Sequence, residues 1–123
     1  MNMYQKEGEY TPDALIASNE FPILKEGIGL KAGQGTLKRG TLIVKGDDNA
    51  GYIAGKNETG KVYGILTDDA DTGDKAEGDN IPSVCYLTGV FNPDAVTVFE
   101  GKDVADYEED LKKVGIYLRN VQG

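Results

Sequence analysis

The chain contains no histidine, no tryptophan and a single cysteine, Cys85. Without an imidazole there is no His-based triad, no histidine-containing zinc site and no side chain ordinarily suited to acid/base work near neutral pH. That removes most hydrolase mechanisms. One cysteine cannot close an intrachain disulfide, so a disulfide scaffold is excluded and a reducing compartment is permitted. Long apolar runs are missing as well, the longest being four residues, as in 14–17. The opening Met1, Asn2, Met3, Tyr4, Gln5, Lys6 and Glu7 has no apolar stretch of the signal-peptide kind. Neither a signal peptide nor a membrane span is expected.

What remains is enough for one domain. A chain of 123 residues with 39% hydrophobic content suits a single core that folds without covalent staples. Its charge is unevenly placed. Residues 1–62 carry eight basic and eight acidic side chains, whereas residues 63–123 carry five and thirteen, so the whole net charge of -8 lies in the second half. Such an acidic face repels phosphate backbones and anionic lipid, which argues against nucleic-acid and membrane partners. A partner surface is expected in the neutral half.

Gly8, Pro12, Pro22 and Gly27 punctuate a leading stretch with no sustained period, and residues 1–26 therefore read as an extended N-terminal arm. It carries apolar beads at Tyr4, Tyr10, Leu15, Ile16, Phe21, Ile23 and Leu24. A merely solubilising tail has no use for them. The last of these beads either remain in the arm or tuck under the domain as its first strand. Residues 27–123 read as one β-rich domain.

From Ile28 to Asn92, short β-prone runs alternate with Gly, Asn and Asp, the spacing of a small sandwich or barrel. Strands are predicted over 36–44, with Gly40 a bulge or a close approach, over 52–54, over 62–67, and over 81–91 as the longest. Residues 68–80 read as a loop. In the longest strand Ile81, Cys85, Leu87 and Phe91 share one face, and Val84, Tyr86 and Val90 the other. Both faces are apolar, as in a strand covered twice or pressed against another subunit. Asp103 as N-cap, the acids that follow, Lys112 and Lys113 in the last turn and Gly115 as stop predict one short C-terminal helix, with Val104, Tyr107, Leu111 and Val114 as its stripe. Ile116 to Leu118 closes the chain as a strand.

Several fragments imitate chemistry. Gly55 to Val62 has P-loop glycine and lysine spacing, but Val62 stands where a hydroxyl must hold magnesium, and a strand rather than a helix follows. The loose match to a dinucleotide fingerprint at Gly27, Gly29 and Ala32 lacks a strand-helix-strand unit around it. Asp68, Asp69, Asp71, Asp74, Glu77 and Asp79 gather hard oxygen ligands, yet their spacing fails the EF-hand pattern. A solvated loop is expected there. Cys85 lies within a strand without an adjacent base and reads as packing. No catalytic, cofactor or metal residues are assigned, and no enzyme activity is expected.

The order of pieces, however, is specific. A polar arm precedes a Gly-rich β region with Arg39, Gly40, Thr41, Leu42 and Ile43. Gly64, Ile65, Leu66 and Thr67 follow, then an acidic loop, then Tyr86, Leu87, Thr88, Gly89, Val90 and Phe91, a short helix and a last strand. This resembles the lambda-type head decoration proteins of tailed bacteriophages over nearly the whole chain, most specifically at Gly64 to Leu66 and Thr88 to Phe91. The resemblance implies a small, tulip-like β-barrel that binds the outside of the expanded head as a homotrimer, through its arms, and stabilises the shell against DNA pressure. The implied partners are the major capsid protein and further copies of the chain, and the implied location is the virion surface after synthesis in the bacterial cytoplasm. Neither enzymatic activity nor a cofactor is implied. The arm, with Tyr4, Tyr10, Leu15, Ile16, Phe21 and Ile23, is the expected capsid contact, and Tyr52, Tyr63, Tyr86 and Phe91 the expected trimer contact. The arm departs from the family pattern, being richer in tyrosine and charge and poorer in small residues and threonine, so the family's capsid contacts do not transfer position by position. The alternative is a small acidic β-barrel adaptor, or a carbohydrate- or metal-binding module using the acidic loop.

Overall fold

A computed structural model describes residues 15–18, 22–56, 60–75 and 77–119. The fold is mostly β, with a closed five-stranded barrel and one short C-terminal helix. In chain order the strands are β1 (Ile16–Ser18), β2 (Lys25–Leu30), β3 (Thr36–Leu37), β4 (Leu42–Lys45), β5 (Gly51–Ile53), β6 (Lys61–Leu66), β7 (Ala70–Asp71), β8 (Ile81–Tyr86) and β9 (Gly89–Phe91). Two 3-10 turns, Pro93–Ala95 and Val104–Tyr107, lead into α1 (Glu108–Val114), and β10 (Ile116–Leu118) follows.

The barrel closes in the order β2-β5-β4-β6-β8, with β8 returning to β2 along six antiparallel pairs from Lys25–Tyr86 to Leu30–Ile81. All its neighbours run antiparallel except β2 and β5, which meet in parallel at Leu30 and Gly51. Gly51 is there because the seam is tight. A Cβ on it would lie 2.9 Å from Leu30 and 3.0 Å from Ile43.

Two cores result. Ile28, Leu30, Ile43, Leu66 and Cys85 fill the barrel, together with Leu37 from β3. Leu42, Val44, Ile65 and Tyr86 point outward from β4, β6 and β8, and a second layer built of β1, β9, β10 and α1 covers them with Leu15, Phe91, Leu111 and Ile116. A bulge in β6 makes this double duty possible: Ile43 pairs with Gly64 and Val44 with Val62, which leaves Tyr63 without a partner in β4. The extra residue reverses the alternation. Val62 and Ile65 therefore both face the outer layer, while Tyr63 and Leu66 face the barrel.

Four segments depart from the sequence expectation. The strand expected over 36–44 is two strands, because the chain turns at 38–40. Gly40 has φ +94, and its Cβ would sit 2.5 Å from the Ala95 carbonyl, so the close approach is real and the strand does not continue through it. The strand expected over 81–91 is also two. It breaks before Gly89 (φ +144), so that β8 closes the barrel and β9 becomes the centre of the sheet β10-β9-β1. Within the loop at 68–80, β7 pairs with β3. The C-terminal helix is shorter than its signals imply: Asp103 caps the 3-10 turn Val104–Tyr107, α1 begins only at Glu108, and Val114 of the expected apolar stripe is exposed. Asp103 Oδ1 accepts from the Ala105 amide at 3.0 Å, Gly115 ends α1, and Leu111 is fully buried.

Folded structure reaches back beyond the boundary read at residue 26. Leu15 is 1% exposed in the outer core, its carbonyl accepts from the Asn92 amide at 2.8 Å, and β1 pairs antiparallel with β9. Pro22 to Leu24 is pinned to the β8–β9 break, where the Thr88 hydroxyl donates to the Pro22 carbonyl and accepts from the Leu24 amide.

Candidate interaction surfaces

The sites proposed from sequence fall in different places. Of the arm residues, Tyr4, Tyr10 and Phe21 lie outside the described residues. Leu15 belongs to the core, and Ile16 and Ile23 are half-buried against it. These three hold the leading segment to its own domain, and a buried Leu15 presents no surface to another chain.

The four aromatic residues expected at a subunit contact do not form one patch. Phe91 is fully buried and Tyr86 is 7% exposed, with ring centroids 5.5 Å apart in the outer core. Arg39 Nη1 donates to the Tyr86 hydroxyl at 2.8 Å and to the Thr67 carbonyl at 2.9 Å, which satisfies the one polar atom of that ring. The two-sided apolar pattern of β8 and β9 is thus explained by two cores in one chain. Tyr52 leans half-buried on the outer core and donates to Asp48 Oδ2 at 2.6 Å, a bond that holds the Asp48 carboxyl below its ordinary range and raises the Tyr52 phenol.

Tyr63 caps the barrel. Its ring packs on the barrel core, its hydroxyl lies 3.0 Å from the Gly27 carbonyl and 3.2 Å from Glu26 Oε2, and Lys45 Nζ stands 5.4 Å from the ring centre. Desolvation, with the Glu26 charge behind it, pushes the phenol up to about 12. The opposite end is closed by Gln34, whose amide donates to the carbonyls of Lys31 and Gly51 and whose oxygen accepts from the Ile53 amide.

Reactive chemistry is scarce among the described residues. Cys85 is fully buried and burial pushes its thiol up to about 12, so it is protonated and inaccessible. The acidic loop turns carboxylates onto its own surroundings: Asp69 accepts from the Arg39 amide at 2.8 Å and pairs with Lys38 at 3.6 Å, and Asp71 accepts from the Gly73 amide. Among the described residues no three His, Cys, Asp or Glu side chains are grouped to hold a metal ion. A cleft of about 640 Å³ runs past Asp94, Val96, Lys102, Asp103, Glu108 and Leu118, but Asp103 is occupied in capping. Lys61 of the P-loop imitation opens β6, and residues 57–59 lie outside the described set.

Exposed apolar side chains mark other surfaces: Leu24 at 59%, Val84 at 42%, Val114 at 41%, Tyr117 at 39% and Phe99 at 36%. Sequence reading placed Leu24 and Val84 in apolar patterns without separating exposed from buried. The signal available was the alternation of Gly27 and Gly29 along β2, directly across from Val84 and Pro82, which leaves that wall of the barrel with small side chains. No protein-family model matches the chain, and no characterised protein matches it in sequence.

Proposed function

We infer that the protein is a capsid decoration protein of a tailed phage or prophage, which grips the outside of the expanded head as a multimer and strengthens it against packed DNA. The observation that carries this reading is how the leading segment is fastened. Residues 1–14 join the domain at Leu15, a fully enclosed core side chain, and at β1, a strand hydrogen-bonded to β9. Burial of one leucine contributes about 1.5–3 kcal/mol, and the β1 pairing adds to it. Tension on residues 1–14 is therefore delivered to the core, as a clamp requires. Tyr4 and Tyr10 stand in the sequence ahead of that anchor as apolar side chains for such a contact, and a segment that takes up extended form on its partner can add a strand to a sheet edge on a shell. Several arms held by one assembly raise the effective concentration of each, so individually modest contacts give firm attachment. The barrel, closed at one end by Tyr63 and at the other by Gln34, serves as the rigid body that carries the arms, and the order of sequence motifs supports the same reading.

The test is co-sedimentation of the full chain with expanded and unexpanded heads of the encoding phage. Binding to expanded heads alone is the expected result. Equal binding to both forms refutes dependence on shell maturation, and no binding to either refutes decoration.

A further inference from the structure

The second core layer covers the outward faces of β4, β6 and the Tyr86 end of β8, but among the described residues none covers the rest of the outer wall, where β2 pairs with β8. Gly27 faces Val84 and Gly29 faces Pro82 across this pair. Val84 is 42% exposed, and both Pro82 and Gly27 are exposed. Gly27 is the informative residue. Its φ is not in the left-handed region, and a Cβ there would meet only the Ser83 carbonyl at 3.5 Å, an ordinary contact. Among the described residues nothing requires glycine at that place, although glycine weakens a strand. Glycine inside a strand marks a bulge, a tight bend at a barrel corner, or a place where a ligand or another backbone comes close, and the open Cβ position at Gly27 leaves room for the last of these. Gly29 differs, since a Cβ on it would press to 3.1 Å on Asn80.

The borders of this wall are oppositely charged. On the β8 side, a groove of about 400 Å³ carries Asp68, Asp69 and Asp71 along its far bank, where Lys38 pairs with Asp69 and leaves Asp68 and Asp71 to set the sign. On the other side, β2 starts at exposed Lys25 and is followed by Lys31. A second copy turned about an axis parallel to the strands, between the two walls, lays each acidic border on a basic one. A head-to-tail ring achieves the same match once per contact. An unrelated acidic or basic partner would satisfy only one border.

We propose that the outer wall of β2 and β8, centred on Gly27 and Val84, is the face through which copies of this chain pack together. The inference rests on the reading above, in which one assembly holds several arms, and it moves the contact from the buried Tyr86 and Phe91 to an exposed wall. The small side chains let the two sheets approach, Val84 and Pro82 supply apolar area, and the borders set orientation.

The test is sedimentation equilibrium of the full chain and of four variants, from micromolar to near-millimolar concentration, with far-UV circular dichroism and unfolding midpoints confirming the fold. The unmodified chain is expected at a multiple of 13.2 kDa. Val84→Asp and Gly27→Lys are expected at the mass of one chain, and Gly27→Ala, which adds one methyl where the domain has room, is expected to weaken association at least about tenfold while leaving the fold intact. Val114→Asp, at an equally exposed apolar site on α1, is expected to associate like the unmodified chain. An unmodified chain that stays monomeric, or wall variants that keep its mass, overturns the proposal. If a monomeric chain still binds expanded heads, the decoration reading stands and only this face is refuted; if it binds none, both fall.

Discussion

Single side chains decide whether the leading segment is anchored. Leu15 is enclosed by the outer core, so Leu15→Ala leaves a cavity and is expected to lower stability by about 2–5 kcal/mol, read from urea unfolding. Ile23→Ala, at a half-buried place, is expected to cost less. The second residue-scale expectation concerns Tyr63, whose phenol is raised from the ordinary value of 10.0 to about 12 by desolvation and by Glu26. A group with a raised folded pKa binds its proton more tightly when folded. Its stabilising contribution is complete below pH 10 and is lost as pH climbs from there through about 12. Tyr63→Phe is therefore expected to flatten the fall in stability over that alkaline range, and ultraviolet titration of the unmodified protein is expected to show a late-ionising phenol that Tyr63→Phe removes. Cys85, equally raised by burial, is expected to resist alkylation at mildly alkaline pH until the protein unfolds; rapid labelling of the folded protein contradicts the buried placement.

At the level of elements, α1 and β10 form a unit with its own chemical punctuation. Asp103 caps the 3-10 turn that leads into α1, so Asp103→Ala removes the side-chain acceptor of the Ala105 amide and is expected to cost about 1 kcal/mol, measured by thermal or urea unfolding. These are also the elements most legible in the sequence, because a cap, a charge gradient and a stop glycine act within a few residues of one another. Ile116 to Leu118 was readable for the same reason. Barrel closure was not: β2 meets β8 more than fifty residues later, and no local signature records a partner so distant. The two misplaced strand breaks share that cause, since Gly40 turns against Ala95 and Gly89 begins a strand that belongs to another sheet. Alternation in the sequence correctly marked Tyr86 and Phe91 as apolar on both sides. It carries no information on whether the second cover is another subunit or another layer of the same chain, and here it is a layer of the same chain.

For the whole molecule, a two-core body is joined through a buried anchor to residues 1–14, and on the proposed reading the body folds while the leading segment grips. Deletion of those residues, stopping before Leu15, is expected to change unfolding free energy by no more than about 0.5 kcal/mol, whereas a deletion that takes Leu15 with it is expected to destabilise the domain as strongly as Leu15→Ala. The central claim is that the protein acts by holding a shell through its leading segment. It is tested most directly by counting bound chains per expanded head, at matched free concentration, for the full chain and for residues 15–123 shown to be folded. The account predicts that the full chain saturates the heads and that the shortened one leaves them nearly bare. Equal occupancy by the two would contradict it.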